Sequence, residues 1–296
     1  MSYEWLALAA AALWAISSML SVAPARHLGT FAYSRWRMGC TAFMLTTLAW
    51  AVGGWQSVAW AHVWPMALSG LIGIFIGDTA LFACMNRMGP RQAGLLFSCH
   101  AVFSAILGYF LFNETLSLLE FIGASLVFSG VVIAIFFGRK RVNQHAWEKI
   151  EGHLSIAICL GLIAALCQAF GGVIAKPVMQ TDIHPIAASA IRMITAFAAH
   201  SSLRILGVSV ARPAQTINFK IFLNTAVNGF LAMVVGMTLI LYALQRGDVG
   251  IVALLSSTTP IIILPLLWLY TKQRPSAFAL VGAVLAVIGS AILVAT

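Results

Sequence analysis

Long apolar runs separated by short polar joints follow one another along the whole chain. Cutting at charged residues, Pro/Gly positions and Asn clusters leaves ten runs, at 4–23, 31–52, 62–85, 91–111, 116–137, 153–175, 185–206, 218–244, 249–270 and 275–295. Each is close to the about 20 apolar residues that a helix needs to cross the hydrocarbon core of a bilayer. No run alternates apolar and polar residues as a barrel strand does. In lipid every backbone polar group then has to be satisfied within its own segment, which leaves the α-helix. The pattern predicts an all-α polytopic membrane protein with ten transmembrane helices.

The chain also repeats itself. Gly77–Phe136 aligns without a gap to the stretch 159 residues further on, with Gly77/Gly236, Thr79/Thr238, Arg87/Arg246, Ser98/Ser257, Ser117/Ser276, Gly123/Gly282 and Gly130/Gly289 superposed. Apolar matches are cheap in so apolar a chain, but glycine and polar matches in one register are not, and they mark an internal duplication. The reading is a five-helix unit at 1–138, a basic joint at 139–152 and a second five-helix unit at 153–296. Because five is odd, the second unit enters the membrane upside down relative to the first.

Charge tests that inversion. Joints 1/2, 3/4, 5/6, 7/8 and 9/10 hold twelve Lys and Arg, whereas the other four joints hold Lys176 and Arg246 alone. The excess of cations on cytoplasmic loops then predicts a cytoplasmic joint at 139–152 and both termini on the other side. The bias swaps between equivalent joints as well, since Asn113-Glu114-Thr115 has no cation where Lys272-Gln273-Arg274 has two.

Composition agrees. Hydrophobic residues make up 61% of the chain and charged residues 8%, against about 25% charged in a soluble protein. The formal net charge of +9 sits in the joints, where it meets water and lipid headgroups, so the expected partners are the bilayer and a small-molecule substrate, not nucleic acid; homodimer formation stays open. Cys40, Cys84, Cys99, Cys159 and Cys167 all lie in apolar runs without metal-ligand spacing, so no metal, cofactor or disulfide framework is expected. The opening MSYEWLALAAAALWA has no basic n-region and reads as a retained first span. HExxH, GxSxG and a clustered-carboxylate motif are absent, as is GxxxxGK[ST], so neither an enzyme nor an ATP-driven pump is expected.

Ionisable groups inside spans are costly and default to functional candidates. Arg37 of span 2 and Asp78 of span 3 fall at similar depth, as a structural ion pair or as a proton- or substrate-linked switch. Arg192 is the repeat mate of Arg37 and has no acidic partner at its depth. It is either a guanidinium fork for a substrate carboxylate or phosphate, or a snorkelling side chain. His100 lies near the middle of span 4, opposite the repeat-equivalent run Ser256–Pro260 of span 9. Pro260 and Pro265 weaken span 9, and breaks at equivalent places of two repeats point to a transporter's binding site. Trp14, Gln168, Asn228, Ser257 and Thr258 complete the expected cavity wall.

Phe112-Asn113-Glu114-Thr115-Leu116-Ser117, followed by Gly123 and Gly130, resembles the "E-x-L-S … G … G" signature of the EamA family, in the drug/metabolite transporter superfamily. Trp14 and Arg37 match that family's pattern too, and the two-times-five layout covers the whole chain. The resemblance implies a secondary transporter of the bacterial inner membrane, exporting small metabolites such as amino acids through a cavity between its halves. Three departures stand out: Ala15 where the family commonly has Gly, Gln273 in place of the second Glu, and Met237 opposite Asp78. A polytopic enzyme acting on lipid would need a cluster of His, Asp or Glu at one interface, and a scaffold or sensor would not need Asp78 or His100 at membrane depth.

Overall fold

The computed structural model describes residues 3–136, 153–271 and 276–295. The basic joint 139–152 and Lys272-Gln273-Arg274 lie outside the described residues. Ten helices and no strand are found among the described ones: α1 (Tyr3–Leu28), α2 (Thr30–Ala51), α3 (Trp60–Gly89), α4 (Gln92–Phe112), α5 (Leu118–Phe136), α6 (Leu154–Met179), α7 (Pro185–Ile205), α8 (Phe219–Leu244), α9 in two pieces (Val249–Ser256 and Thr259–Thr271) and α10 (Ala277–Ala295). Eight of them are individually long and apolar enough to cross a membrane. The other two are α2, which contains Arg35 and Arg37, and α5, whose apolar stretch is Leu118–Ile133.

Local chemistry sets the helix ends. At the start of α5, Glu120 accepts from the backbone N–H of Ser117 at 2.7 Å, and its own N–H donates to Ser117 Oγ at 3.2 Å. This reciprocal capping box satisfies two donors that a helix start leaves orphaned. The repeat mate Ser276 accepts from the N–H of Ala279 at the start of α10. Asn113 closes α4 at φ 54°, a left-handed position that Asn tolerates better than other side chains. Gly89, at φ 83° and ψ 161°, turns α3 into α4 through backbone space that glycine alone enters cheaply.

The two units interlock through antiparallel repeat mates. Along α5 and α10, Gly123 faces Gly289 and Gly130 faces Gly282: a Cβ on Gly130 would lie 2.5 Å from the carbonyl of Gly282, and one on Gly289 2.5 Å from that of Gly123. Swapping the units exchanges these two contacts, as a two-fold axis between them requires. Small residues let helix backbones approach this closely in membranes. Gly39 of α2 meets Phe197 of α7, and Gly54, just past the end of α2, meets His184, which caps the start of α7. The third helix of each unit packs on the first helix of the other. Ser69 Oγ of α3 donates to the carbonyl of Gly171 in α6 at 2.6 Å, and its mate Asn228 of α8 donates to the carbonyl of Ser17 in α1.

The joints fall on two ends as the alternation demands. At one end His27 bonds the Thr216 carbonyl and Asn86 bonds Thr30; Arg26, Arg87, Arg204 and Arg212 belong to this end. At the other end Thr181 meets His62 and the N–H of His184 donates to Ser57. Trp5, Trp50, Trp60 and Trp64 are exposed there, as aromatic residues are at a membrane–water boundary.

Candidate functional site

The polar interior is built where α2, α3, α7 and α8 meet. Arg37 Nη1 donates to Asp78 Oδ2 at 2.8 Å, with both side chains buried. The guanidinium lies 5.2 Å from the centre of the Phe82 ring, and Phe82 packs edge-on against Tyr33 at 4.9 Å. Arg37 and Tyr33 are four residues apart, so one face of α2 presents both. The pairing of Arg37 with Asp78 expected from their depths is therefore present.

Arg192 is 2% exposed. Its backbone crosses Gly70 so closely that a Cβ there would lie 2.5 Å from the Arg192 carbonyl, and its Nη2 lies over Gly73 of α3 and Gly171 of α6. The glycines make room for the side chain, which is folded between helices rather than extended to an interface. Its Nε is buried without a hydrogen-bond partner, and no ion pair among the described residues includes it. Asp78 lies within electrostatic reach of it. Two turns further along α7, His200 meets Thr79 Oγ1 at 3.3 Å through Nε2 and packs on Phe75. His200 was legible in principle: it follows Arg192 at a spacing of eight, on the same helix face.

Of the ten buried side-chain polar atoms without partners among the described residues, eight lie on α2, α7 and α8, the others being Glu4 Oε2 and Gln92 Nε2. Tyr33 Oη, Ser34 Oγ and Arg37 Nε on α2, Ser189 Oγ, Arg192 Nε and His200 Nδ1 on α7, and Asn228 Oδ1 and Thr238 Oγ1 on α8 are all such atoms. Native interiors leave few of these, and each calls for an explanation.

Both α3 and α8 are π-helical where they border this region, over Leu71–Ile76 and Phe230–Met237. The two segments begin at repeat-equivalent residues, so the distortion was duplicated with the sequence. π-turns appear frequently at functional sites. Each is held by a large side chain: Arg192 over Gly73, and Trp14, whose Nε1 donates to the Ala232 carbonyl at 2.9 Å and abuts Gly236.

His100 and the hydroxyls of α9 form a second group, on different helices. α4 and α9 run antiparallel, with Gly94 against Pro260 and Gly250 against Ala105. Their interruptions, at Cys99 and at Ser257–Thr258, therefore lie level. The break in α9 sits just before Pro260 and not at Pro265. His100 is buried 5.0 Å from Phe97. Ser257 and Thr258 spend their hydroxyls on the carbonyls of Leu254 and Leu255, which caps the broken helix. Gln168 is half-buried on α6.

One cluster escapes a residue-by-residue reading. Lys176, at the end of α6, pairs with Glu114 and lies 3.5 Å from Asp248. Glu114 also accepts from the backbone N–H groups of Val249 (3.1 Å) and Gly250 (3.4 Å), the positive end of the α9 dipole. This ties the α4–α5 joint of the first unit to α6 and α9 of the second. In the chain Lys176 is only a joint cation and Glu114 a signature residue, and nothing in their spacing of 62 positions marks a pair. Glu114→Gln is expected to lower the melting temperature in detergent. The loss should be smaller than the about 3–5 kcal/mol of a fully broken buried pair, because Asp248 remains. Adding Lys176→Met should recover most of it.

Two helical units built alike, running antiparallel and holding charged side chains in their shared interior, define a multi-pass membrane protein of the transporter type. The chain belongs to the EamA-like transporter family, whose model matches residues 1–136 and 155–295. The comparison with curated proteins returns no match. Among solved structures, one titled only "Crystal structure of protein" superposes with a TM-score of 0.77 at 17% identity, covering 98% of this chain and 95% of that one. At that identity the likeness concerns the fold alone.

Proposed function

We propose that the protein is a secondary-active transporter that moves small polar metabolites, amino acids among them, out of the cell by alternating access of its two five-helix units. The observation that carries this reading is that most unpartnered buried polar atoms among the described residues lie on α2, α7 and α8, two of which carry the buried Arg37 and Arg192. A purely structural interior has no reason to gather such atoms between two inverted units, whereas a polar pathway closed in one state and wetted in another does. In this reading all ten helices cross the membrane, with α2 low in hydropathy because its charges face the bundle. Trp14, Gln168, Asn228, Ser257, Thr258 and His100 line the route, the π segments give the third helices room to bend, and the Lys176–Glu114 tie holds one end shut.

Counterflow in proteoliposomes, with a labelled panel of amino acids and other small polar metabolites, tests the reading. Accumulation of at least one solute above protein-free vesicles is expected. No flux for any member of the panel, from protein shown to be folded, would sink it.

A further inference from the structure

The charged side chains of the polar interior do not cancel. Arg37 and Asp78 neutralise each other at 2.8 Å, which leaves the charge of Arg192 at 2% exposure. A guanidinium does not shed its proton in proteins, so this cation has no chemical escape. Its surroundings offer little solvation, since Nη2 lies against the backbones of Gly73 and Gly171. The one carboxylate within its electrostatic reach among the described residues, Asp78, is already committed to Arg37. Its own Nε is a hydrogen-bond donor left without a partner. A buried cation with no ion-pair partner and an unused donor of its own is half of a binding site for an anion.

We propose that Arg192 receives a singly charged anionic group of the transported molecule, a carboxylate; this rests on the transport reading above. A carboxylate fits the planar fork two bonds at a time. One negative charge cancels the one uncancelled cation, whereas a phosphate monoester, at about −1.5 to −2, would leave the interior negative. The fold supplies the opening. Arg192 is covered by the glycine stripe of α3, Gly70 and Gly73, and this stripe runs into the π segment Leu71–Ile76. A small shift of α3 uncovers the fork without displacing any side chain from it.

The test uses matched probes: free α-amino and simple carboxylic acids, their amides with the carboxyl neutralised, and phosphate monoesters of similar size. Each is scored by thermal stabilisation of the purified full-length protein and by counterflow. Acids should raise the melting temperature of the wild type while amides and phosphate monoesters should not. Arg192→Met should melt no lower than wild type without solute, since it removes an uncompensated buried charge. It should lose the acid-dependent shift and at least ten-fold of acid flux, and Arg192→Lys should keep part of both. Amides or phosphate monoesters matching the acids would overturn the proposal while leaving transport standing, as would a folded Arg192→Met that still responds to acids. Stabilisation by acids without flux of any probe would instead overturn transport and keep the binding site. Should Arg192→Met fail to fold, the discrimination between acid and amide by the wild type alone decides.

Discussion

Asp78→Asn lowers stability by about 3–5 kcal/mol, the range for a buried ion pair that loses one partner, and transport falls to background. The carboxylate that answers Arg37 at 2.8 Å is the only acid among the described residues paired with a span-interior arginine. Removing it leaves two uncompensated guanidinium groups in one polar interior. Arg37→Met restores most of the lost stability when added to Asp78→Asn, because it removes one of those uncompensated cations and apolar replacement of a buried pair is often neutral. The two roles then separate. Thermal unfolding in detergent reads the structural part, and counterflow by the refolded double variant reads the functional part. If the double variant is stable and transports normally, the pair is a bolt between α2 and α3 and nothing more.

The second large effect lies far from any charge. Gly130→Val forces α5 off α10, since even the first carbon of the new side chain would sit 2.5 Å from the Gly282 carbonyl and 2.7 Å from the Ala286 nitrogen. Both contacts are backbone, so no side chain can swing away, and overpacking of this kind costs about 1–3 kcal/mol or more. The expected result is a loss of folded protein on size-exclusion chromatography at a temperature where wild type is monodisperse. Gly289→Val should behave alike, because the two-fold relation gives it the same environment opposite Gly123. Gly172→Ala is the control, with only Val249 Cγ1 at 3.9 Å from the added carbon. Equal stability of all three variants would show that α5 and α10 are not in the contact described.

Much of the architecture could be read from the chain. The ten apolar runs coincide with the ten helices to within a few residues, and the repeat register that aligns Gly123 with Gly282 also aligns the helix caps Ser117 and Ser276. Arg37 and Asp78 could be matched because helices advance a fixed rise per residue, so sequence position converts to depth. The conversion says nothing about azimuth. Depth placed His100 and Arg192 in the interior alike, yet His100 stands with α9 while Arg192 stands with α3 and α6. Ser257 and Thr258 read as polar wall, but their hydroxyls turn back onto their own helix, as Ser and Thr commonly do when a broken helix leaves carbonyls unsatisfied. The tie between Lys176 and Glu114 was invisible for a related reason. It joins two helix ends of different units, and only the folded order of the helices brings those ends together.

Sequence alone determined that this chain is a helical membrane protein of two similar units and that a few charges are held inside it. Apolar length, glycine register and the cost of burying charge are properties of the chain itself. Tertiary structure alone decided which helices face each other and against which backbones the unanswered charge is held. The packing of α2 on α3 commits Asp78 to Arg37, and the packing of α7 on α3 and α6 lays Arg192 across two glycines with its charge unmatched.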